Sequence, residues 1–406
     1  MAKTLSNIRV LDLSRILAGP WATQNLADLG AEVIKVERPG SGDDTRHMGP
    51  PFLHAAETDE PGDAAYFMCC NRGKQSVTID FSKPEGQALV RALVADADVL
   101  VENYKVGALK KYGLDYNSLR ELNPGLVYCS VTGFGQTGPY KDRAGYDFLI
   151  QGMAGLMSVT GERDDLPGGG PQRVGVAVAD ILTGMYATVA ILAALRHRDQ
   201  GGGGQHIDIS LLDCMVGSLV NQGMNYLTSG VAPVRMGTGH PNIAPYQVYP
   251  ALDGHIILTV GNDTQFQRFC NAVGDPDFAS DPRFKTIRDR VANRAAMNER
   301  LEAITRTRSV EDWVALLEEA QVPCGPINTI DRVFNDPHVV ERGMRLDLAH
   351  PLYGQVPLIN SPIRFSETPL KLTEPPPVLG QHTHQVLARL GLSDDELEKL
   401  QQAGIV

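Results

Sequence analysis

Asp180 is the acidic residue best placed to do chemistry in this chain. It ends the run Gln172-Arg173-Val174-Gly175-Val176-Ala177-Val178-Ala179, and the apolar stretch Ile181-Leu182-Thr183-Gly184-Met185-Tyr186 follows directly. A β-branched run giving way to a helical pattern puts the carboxylate at a strand-to-helix junction. Unpaired backbone N–H groups and the positive end of a helix dipole lie at such a junction. A carboxylate there stays ionised at neutral pH and can act as a nucleophile. The same placement suits an N-cap aspartate that only holds the helix start. On this segment alone both readings stand.

The elements that must position Asp180 come mainly from the first two hundred residues. Residues 8–13, 32–37, 76–81, 98–101 and 125–131 read as apolar strands, with helical stretches at 21–29 and from Pro84 to about 95. Buried strands alternating with helices predict a parallel sheet covered on both faces. The expected fold is therefore α/β: a Rossmann-like, doubly wound parallel sheet, plus a smaller α+β domain. Residues 1–200 form the large domain, completed by a helix within 378–406. Residues 201–230 read as a linker, 231–330 as the small domain and 331–377 as a proline-rich linker back to the large one. Helices are expected at 264–273 and 310–320, and one amphipathic helix at 382–403.

Composition excludes several classes. A net charge of -11 argues against a nucleic-acid binder, which carries a basic face. The N-terminus has no apolar core of a secretion signal. The apolar stretch 181–195 falls short of the ~20 residues that a membrane span needs. Six cysteines without CxxC spacing suggest reduced thiols and a cytoplasmic setting. No His/Cys/Asp cluster has metal-ligand spacing, so no metal is expected.

Two glycine-rich stretches are decoys. Gly133-Phe134-Gly135-Gln136-Thr137-Gly138 matches GxGxxG after a strand, but Pro139, Lys141, Asp142, Arg143 and Gly145 make a polar turn where a helix should begin. Gly201-Gly202-Gly203-Gly204 follows a charged helix end and precedes a strand at 205–209, so it reads as a flexible turn.

Other motifs resemble the class III CoA-transferases, the CaiB/BaiF or formyl-CoA transferase-like family. They are Val10-Leu11-Asp12-Leu13-Ser14-Arg15 with Leu17-Ala18-Gly19-Pro20, then Asp28 through Pro39, Asn71-Arg72-Gly73-Lys74, Val101-Glu102-Asn103-Tyr104 and Val178-Ala179-Asp180. The resemblance covers essentially the whole chain. Gly42-Asp43-Asp44-Thr45-Arg46, Pro245-Tyr246-Gln247 and Gly325-Pro326-Ile327-Asn328 are similar to the dicarboxylate-specific branch. This implies transfer of CoA from an acyl-CoA such as succinyl-CoA to an acid such as glutarate. CoA is then a substrate, with no permanently bound cofactor, and the family's architecture is an interlocked homodimer.

The resemblance also assigns roles. Asp180 becomes the nucleophile, passing through an aspartyl anhydride and an aspartyl-CoA thioester. Arg15, Leu17 and Ala18 match positions along pantetheine and adenine, Leu17 through its backbone alone. Arg38 matches a contact to the nucleotide end of CoA. Arg72, Lys74 and Lys111 are candidates for its phosphates. Asn103 and Tyr104 match a pair beside the CoA tunnel. Gly237-Thr238-Gly239-His240 matches a glycine-rich loop that closes over the intermediate, although it departs from the all-glycine form. A dicarboxylate acceptor needs a second cation, for which Arg46 and His240 are candidates. Tyr146 stands where the related α-methylacyl-CoA racemases carry a histidine, and a tyrosine is a poor base at neutral pH. Racemisation and non-catalytic CoA binding are the alternative functions.

Overall fold

The computed structural model describes residues 4–55 and 61–406. Two compact units emerge. The larger comprises Met1–Leu156, Val174–Met224 and Val340–Val406; the smaller comprises Met157–Arg173 and Asn225–Val339.

The larger unit is built on a six-stranded sheet: β1 (Arg9–Asp12), β2 (Glu32–Glu37), β3 (Lys74–Thr78), β4 (Val99–Glu102), β5 (Val127–Thr132) and β6 (His206–Ser210). Its order is β3-β2-β1-β4-β5-β6 and every pairing is parallel. That order is the one of the doubly wound class, with the crossing point between β1 and β4. One face buries Val10, Val33, Val99, Val101, Val127 and Cys129 beneath helices α1 (Ala18–Asp28) and α6 (Val178–Asp199). The other buries Leu11, Ile34, Val77, Leu100 and Tyr128 beneath α3 (Pro84–Ala95), α4 (Tyr116–Leu122) and the C-terminal helices α11 (Thr383–Ala388) and α12 (Asp394–Gln402). Side chains that alternate between these two apolar faces explain why the strands read as continuous apolar runs.

Three expectations change. The stretch expected as a linker at 201–230 carries its expected strand into the large sheet as β6 and adds the helix α7 (Leu211–Gly217). The glycine turn before β6 is tight: a Cβ on Gly204 would stand 2.2 Å from the Leu126 carbonyl oxygen. The segment 331–377 contains an antiparallel hairpin, Arg345–His350 with Gly354–Ile359, whose Leu348, Val356 and Leu358 bury against Phe67 and Met68. The single C-terminal helix is two, because Gly391 adopts φ +88° and Ser393 then starts α12 with a capping box closed by Glu396.

Helix α6 runs 22 residues, past the apolar stretch. By length and composition it would suffice to cross a membrane, yet Ala179, Thr183, Gly184, Ala187, Ile191 and Ala194 are buried. Gly184 lets α1 come close: a Cβ there would stand 2.6 Å from the Ala18 carbonyl oxygen.

The smaller unit holds a three-stranded antiparallel sheet of β7 (Tyr246–Pro250), β8 (His255–Thr259) and β9 (Cys324–Pro326), in the order β9-β8-β7. Helices α8 (Asp263–Ala272), α9 (Arg294–Thr305) and α10 (Val310–Glu319) cover it. Phe266, Phe269, Phe278, Phe284 and Trp313 fill its core, and the Trp313 indole N–H donates to the Thr305 carbonyl at 2.7 Å.

Candidate active site

Asp180 is the third residue of α6 and sits in its first turn. The run before it is not a strand. Residues 172–177 pair with no strand among the described residues, and Val176 is 58% exposed. The junction is therefore loop to helix, and the N-cap residue is Ala177, which has no side chain to cap with. This removes the N-cap reading of Asp180.

The missing cap comes from Asp147, the first residue of helix α5 (Asp147–Met153). Asp147 Oδ1 accepts from the Ala179 N–H at 2.8 Å, and Oδ2 accepts from Gln151 Nε2 at 2.7 Å. Buried Gln151 then accepts from the Val174 N–H at 2.9 Å through Oε1. One carboxylate and one amide thus clamp both the start of α6 and the segment leading into it. Gly133 and Gly145 press backbone against backbone just before α5: a Cβ on Gly133 would lie 2.5 Å from the Gly145 Cα. The first glycine of the GxGxxG stretch therefore serves this contact and cradles no phosphate.

Asp180 is partly buried, and its carboxyl is pushed up to about 7. Burial is the main cause, and the negative charge of Asp147 adds to it. Asp180 therefore lies well above the ordinary carboxylate range, against the expectation that it stays fully ionised at neutral pH. The same field reaches Tyr66, on the short helix Ala65–Met68, whose hydroxyl is pushed up to about 12 by burial and then by Asp180. Tyr66 therefore stays neutral.

A cavity forms at the carboxyl ends of β1, β2, β3 and β4. It measures about 320 Å³ and is bounded by Arg15, Arg38, Ser41, Phe81, Ser82 and Tyr104. Arg15 pairs with Asp44 at 3.0 Å and lies over the Tyr104 ring at 5.4 Å. Asn103 holds the Arg15 backbone on both sides: Oδ1 accepts from its N–H at 2.9 Å and Nδ2 donates to its carbonyl at 2.7 Å. Arg15, Arg38, Asn103 and Tyr104 are thus brought together. Leu17 and Ala18 lie buried at the start of α1. Lys111 sits in the turn Lys110–Tyr112 with its ammonium 4.6 Å from the Tyr112 ring centre, and it does not line this cavity.

Three expected ligand cations are structural. Arg72 is buried with its Nε and Nη2 on Asp28 at 2.8 and 2.5 Å. The Lys74 side chain is fully buried, and its three donors go to Asp12 at 3.0 Å, the Pro20 carbonyl at 2.9 Å and Asn71 at 2.9 Å. Arg46 is buried against the Phe67 ring, with two nitrogens on Glu37 and one on Asp63. A buried cation removed from its partner carries a heavy desolvation cost, so none of the three is available to a phosphate or an acceptor carboxylate.

The glycine-rich loop belongs to the smaller unit. Gly237 adopts φ +60° beside Glu162, and Gly239 lies next to Arg294. Arg294 Nη2 donates to the His240 carbonyl at 2.7 Å. The His240 imidazole lies tilted against Tyr246 and is pushed below its ordinary value by burial and then by Arg294. Both effects disfavour its charged form, which weakens it as the second cation. Tyr146, the N-cap residue of α5, is 73% exposed. No group of three or more His, Cys, Asp or Glu that could hold a metal occurs among the described residues.

A doubly wound sheet with a partly buried, high-pKa aspartate at a helix start, and a cavity at the carboxyl ends of its strands that carries the exposed guanidinium of Arg15 beside Arg38, is the frame of an α/β enzyme. Residues 5–383 match the family model of CoA-transferase family III, and the chain belongs to that family as a CoA-transferase. It is 53% identical over 386 residues to the succinate–glutarate CoA-transferase of Agrobacterium fabrum, covering 95% of each chain. It is 40% identical over 405 residues to the human succinyl-CoA:glutarate CoA-transferase, covering 100% of this chain and 90% of the human one. The solved structure of a CaiB/BaiF family protein from Brucella suis superposes with a TM-score of 0.84 at 52% identity, covering 96% of this chain and 100% of that one.

Proposed function

We propose that this enzyme moves CoA from succinyl-CoA to glutarate or a near dicarboxylate, through covalent acylation of Asp180. The observation that carries the reading is the clamp of Asp147 and Gln151, which fixes one partly buried carboxylate at a helix start. The full-length similarity to two enzymes named for succinyl and glutaryl groups supports the substrate pair.

The cavity between Arg15, Arg38 and Tyr104 takes the nucleotide end of CoA, with the two guanidinium groups toward its phosphates. The Asp180 carboxylate attacks the thioester carbonyl, the C–S bond breaks, and a mixed anhydride forms as CoA thiolate leaves. The thiolate attacks the aspartyl carbonyl and expels succinate, giving aspartyl-CoA. Glutarate attacks that thioester, and the released thiolate then attacks the glutaryl carbonyl of the new anhydride. Glutaryl-CoA leaves and the Asp180 carboxylate is regenerated. A carboxylate is a weak nucleophile, so the clamp's contribution is positional, and positioning can supply up to ~7–11 kcal/mol.

Because only the anion attacks, kcat/KM rises about tenfold per pH unit below 7 and flattens above about 8. A rate profile from pH 5.5 to 9 checks this; a profile flat below pH 7 would contradict it.

Substrate choice is tested by incubating the protein with succinyl-CoA and a panel of mono- and dicarboxylates and identifying new thioesters by mass spectrometry. Glutaryl-CoA is expected to dominate, about tenfold or more over the monocarboxylate of equal length. Preference for monocarboxylates, or hydrolysis alone, would overturn the assignment.

The same reading includes an interlocked homodimer. Leu149, Met153, Met185, Tyr186, Val189 and Val216 on helices α5, α6 and α7 leave apolar surface exposed on the larger unit, which a second copy would cover. Light scattering on the preparation used for the acceptor panel distinguishes this from a single chain of 44.0 kDa. The described cysteines are all free thiols, which fits a reducing, cytoplasmic setting.

A further inference from the structure

Ile16 has φ +71°, in the left-handed region that β-branched residues rarely adopt. It lies between Arg15 and Leu17, at the point where the chain leaves β1 and turns into α1. A strained residue persists only where its surroundings hold it, and here the restraint is specific. The Ile16 N–H donates to Asp43 Oδ1 at 3.2 Å. The other Asp43 oxygen pairs with Lys35 Nζ at 2.8 Å, and neither side chain has any exposed surface. Lys35 Nζ also donates to the Ser14 carbonyl at 2.9 Å. The ion pair therefore grips the backbone on either side of Arg15, at Ser14 and at Ile16. Asp43 further accepts from the Thr45 N–H at 3.0 Å and from its hydroxyl at 2.8 Å, and its own N–H donates to Glu37 at 2.9 Å. The loop after β1 and the loop after β2, both of which contribute to the cavity's lining, are tied together through this one pair.

We propose that Lys35 and Asp43 are positioning residues for CoA recognition: they hold Ile16 in its left-handed conformation and so aim Arg15 into the cavity. Both residues line the cavity, but their charges face each other, with Asp12 and Glu37 beside Lys35, and neither side chain has exposed surface, so they act on the ligand through Arg15. This rests on the reading that the cavity holds the nucleotide end of CoA.

The test uses the full-length enzyme, calorimetric binding of CoA itself, and steady-state kinetics. Asp43→Asn is expected to weaken CoA binding and raise KM for succinyl-CoA about tenfold, with kcat within about twofold, since one misplaced phosphate contact costs about a factor of ten. Adding Ile16→Gly to Asp43→Asn is expected to restore most of that loss, because glycine adopts positive φ without strain. A purely structural role would lower kcat or stability and would not be rescued by glycine at position 16, and that outcome overturns the proposal. Should Asp43→Asn fail to fold, Lys35→Met with Asp43→Asn removes both buried charges together, and the same KM rise and the same rescue are expected. Arg38→Ala and Arg15→Ala separate the two readings. If neither weakens CoA binding, the cavity assignment is wrong. If both do while Asp43→Asn does not, the positioning role is wrong.

Discussion

Asp180→Ala is expected to lower glutaryl-CoA formation from succinyl-CoA by about 10⁴-fold or more, with CoA bound as tightly as by the wild type. The loss is this large because nothing near the helix start can replace the carboxylate. Asp147 is spent on the Ala179 N–H and on Gln151, so both of its oxygens are already engaged. Tyr66 stays protonated far above neutral pH, so it is no nucleophile. CoA affinity should survive because the cavity at Arg15, Arg38 and Tyr104 is built by the loops after β1 to β4, apart from helix α6. Product formation by mass spectrometry and CoA binding by calorimetry measure the two halves. Turnover above about a hundredth of wild type would refute the assignment of the nucleophile.

Asp147→Asn should lower kcat by about ten- to a hundredfold and move the acidic limb of the rate profile to lower pH. The amide oxygen can still accept from Ala179, but its NH₂ group then meets the Gln151 amide donor. If Gln151 flips to relieve this, its contact with the Val174 N–H is lost. Either way the clamp fails on one side, and a weakened helix cap costs about 1 kcal/mol. The pH shift follows from sign. Removing a negative neighbour favours the Asp180 anion, so its pKa falls and activity extends to lower pH. Burial remains the larger cause of the elevated value, so the limb moves by less than about one unit and stays above the ordinary carboxylate range. A limb that stays put, with kcat within twofold of wild type, would sink this account of Asp147.

The parallel sheet was legible because its strands are buried on both faces and show as apolar runs. Its boundaries were not. β3 begins at Lys74, a residue that reads as surface until its ammonium is seen beneath Asp12. Arg72 and Lys74 were misread for one physical reason: their partners lie 44 and 62 residues away in the chain, and a sequence does not show that two distant charges meet in the interior. The Asp180 segment misled in the opposite direction. Val174 and Val176 give it a strand's composition, but no neighbouring strand pairs with it, and Val176 faces water. Asp180 stood out as a candidate from its local motif, with its role as nucleophile implied by the resemblance alone. The cap of its helix was not legible, since Asp147 reaches the Ala179 N–H across 32 residues. Lys35 and Asp43 stand in the motifs that carry the resemblance, but their pairing was not legible, because a left-handed isoleucine at position 16 leaves no mark in composition or periodicity.

Trapping decides whether Asp180 is acylated. The enzyme is mixed with succinyl-CoA without acceptor, quenched with hydroxylamine, digested, and its peptides are mapped by mass spectrometry. A hydroxamate confined to Asp180, and missing from Asp180→Ala, is the predicted result. A hydroxamate at another residue, or unmodified peptides while transfer proceeds, would contradict it.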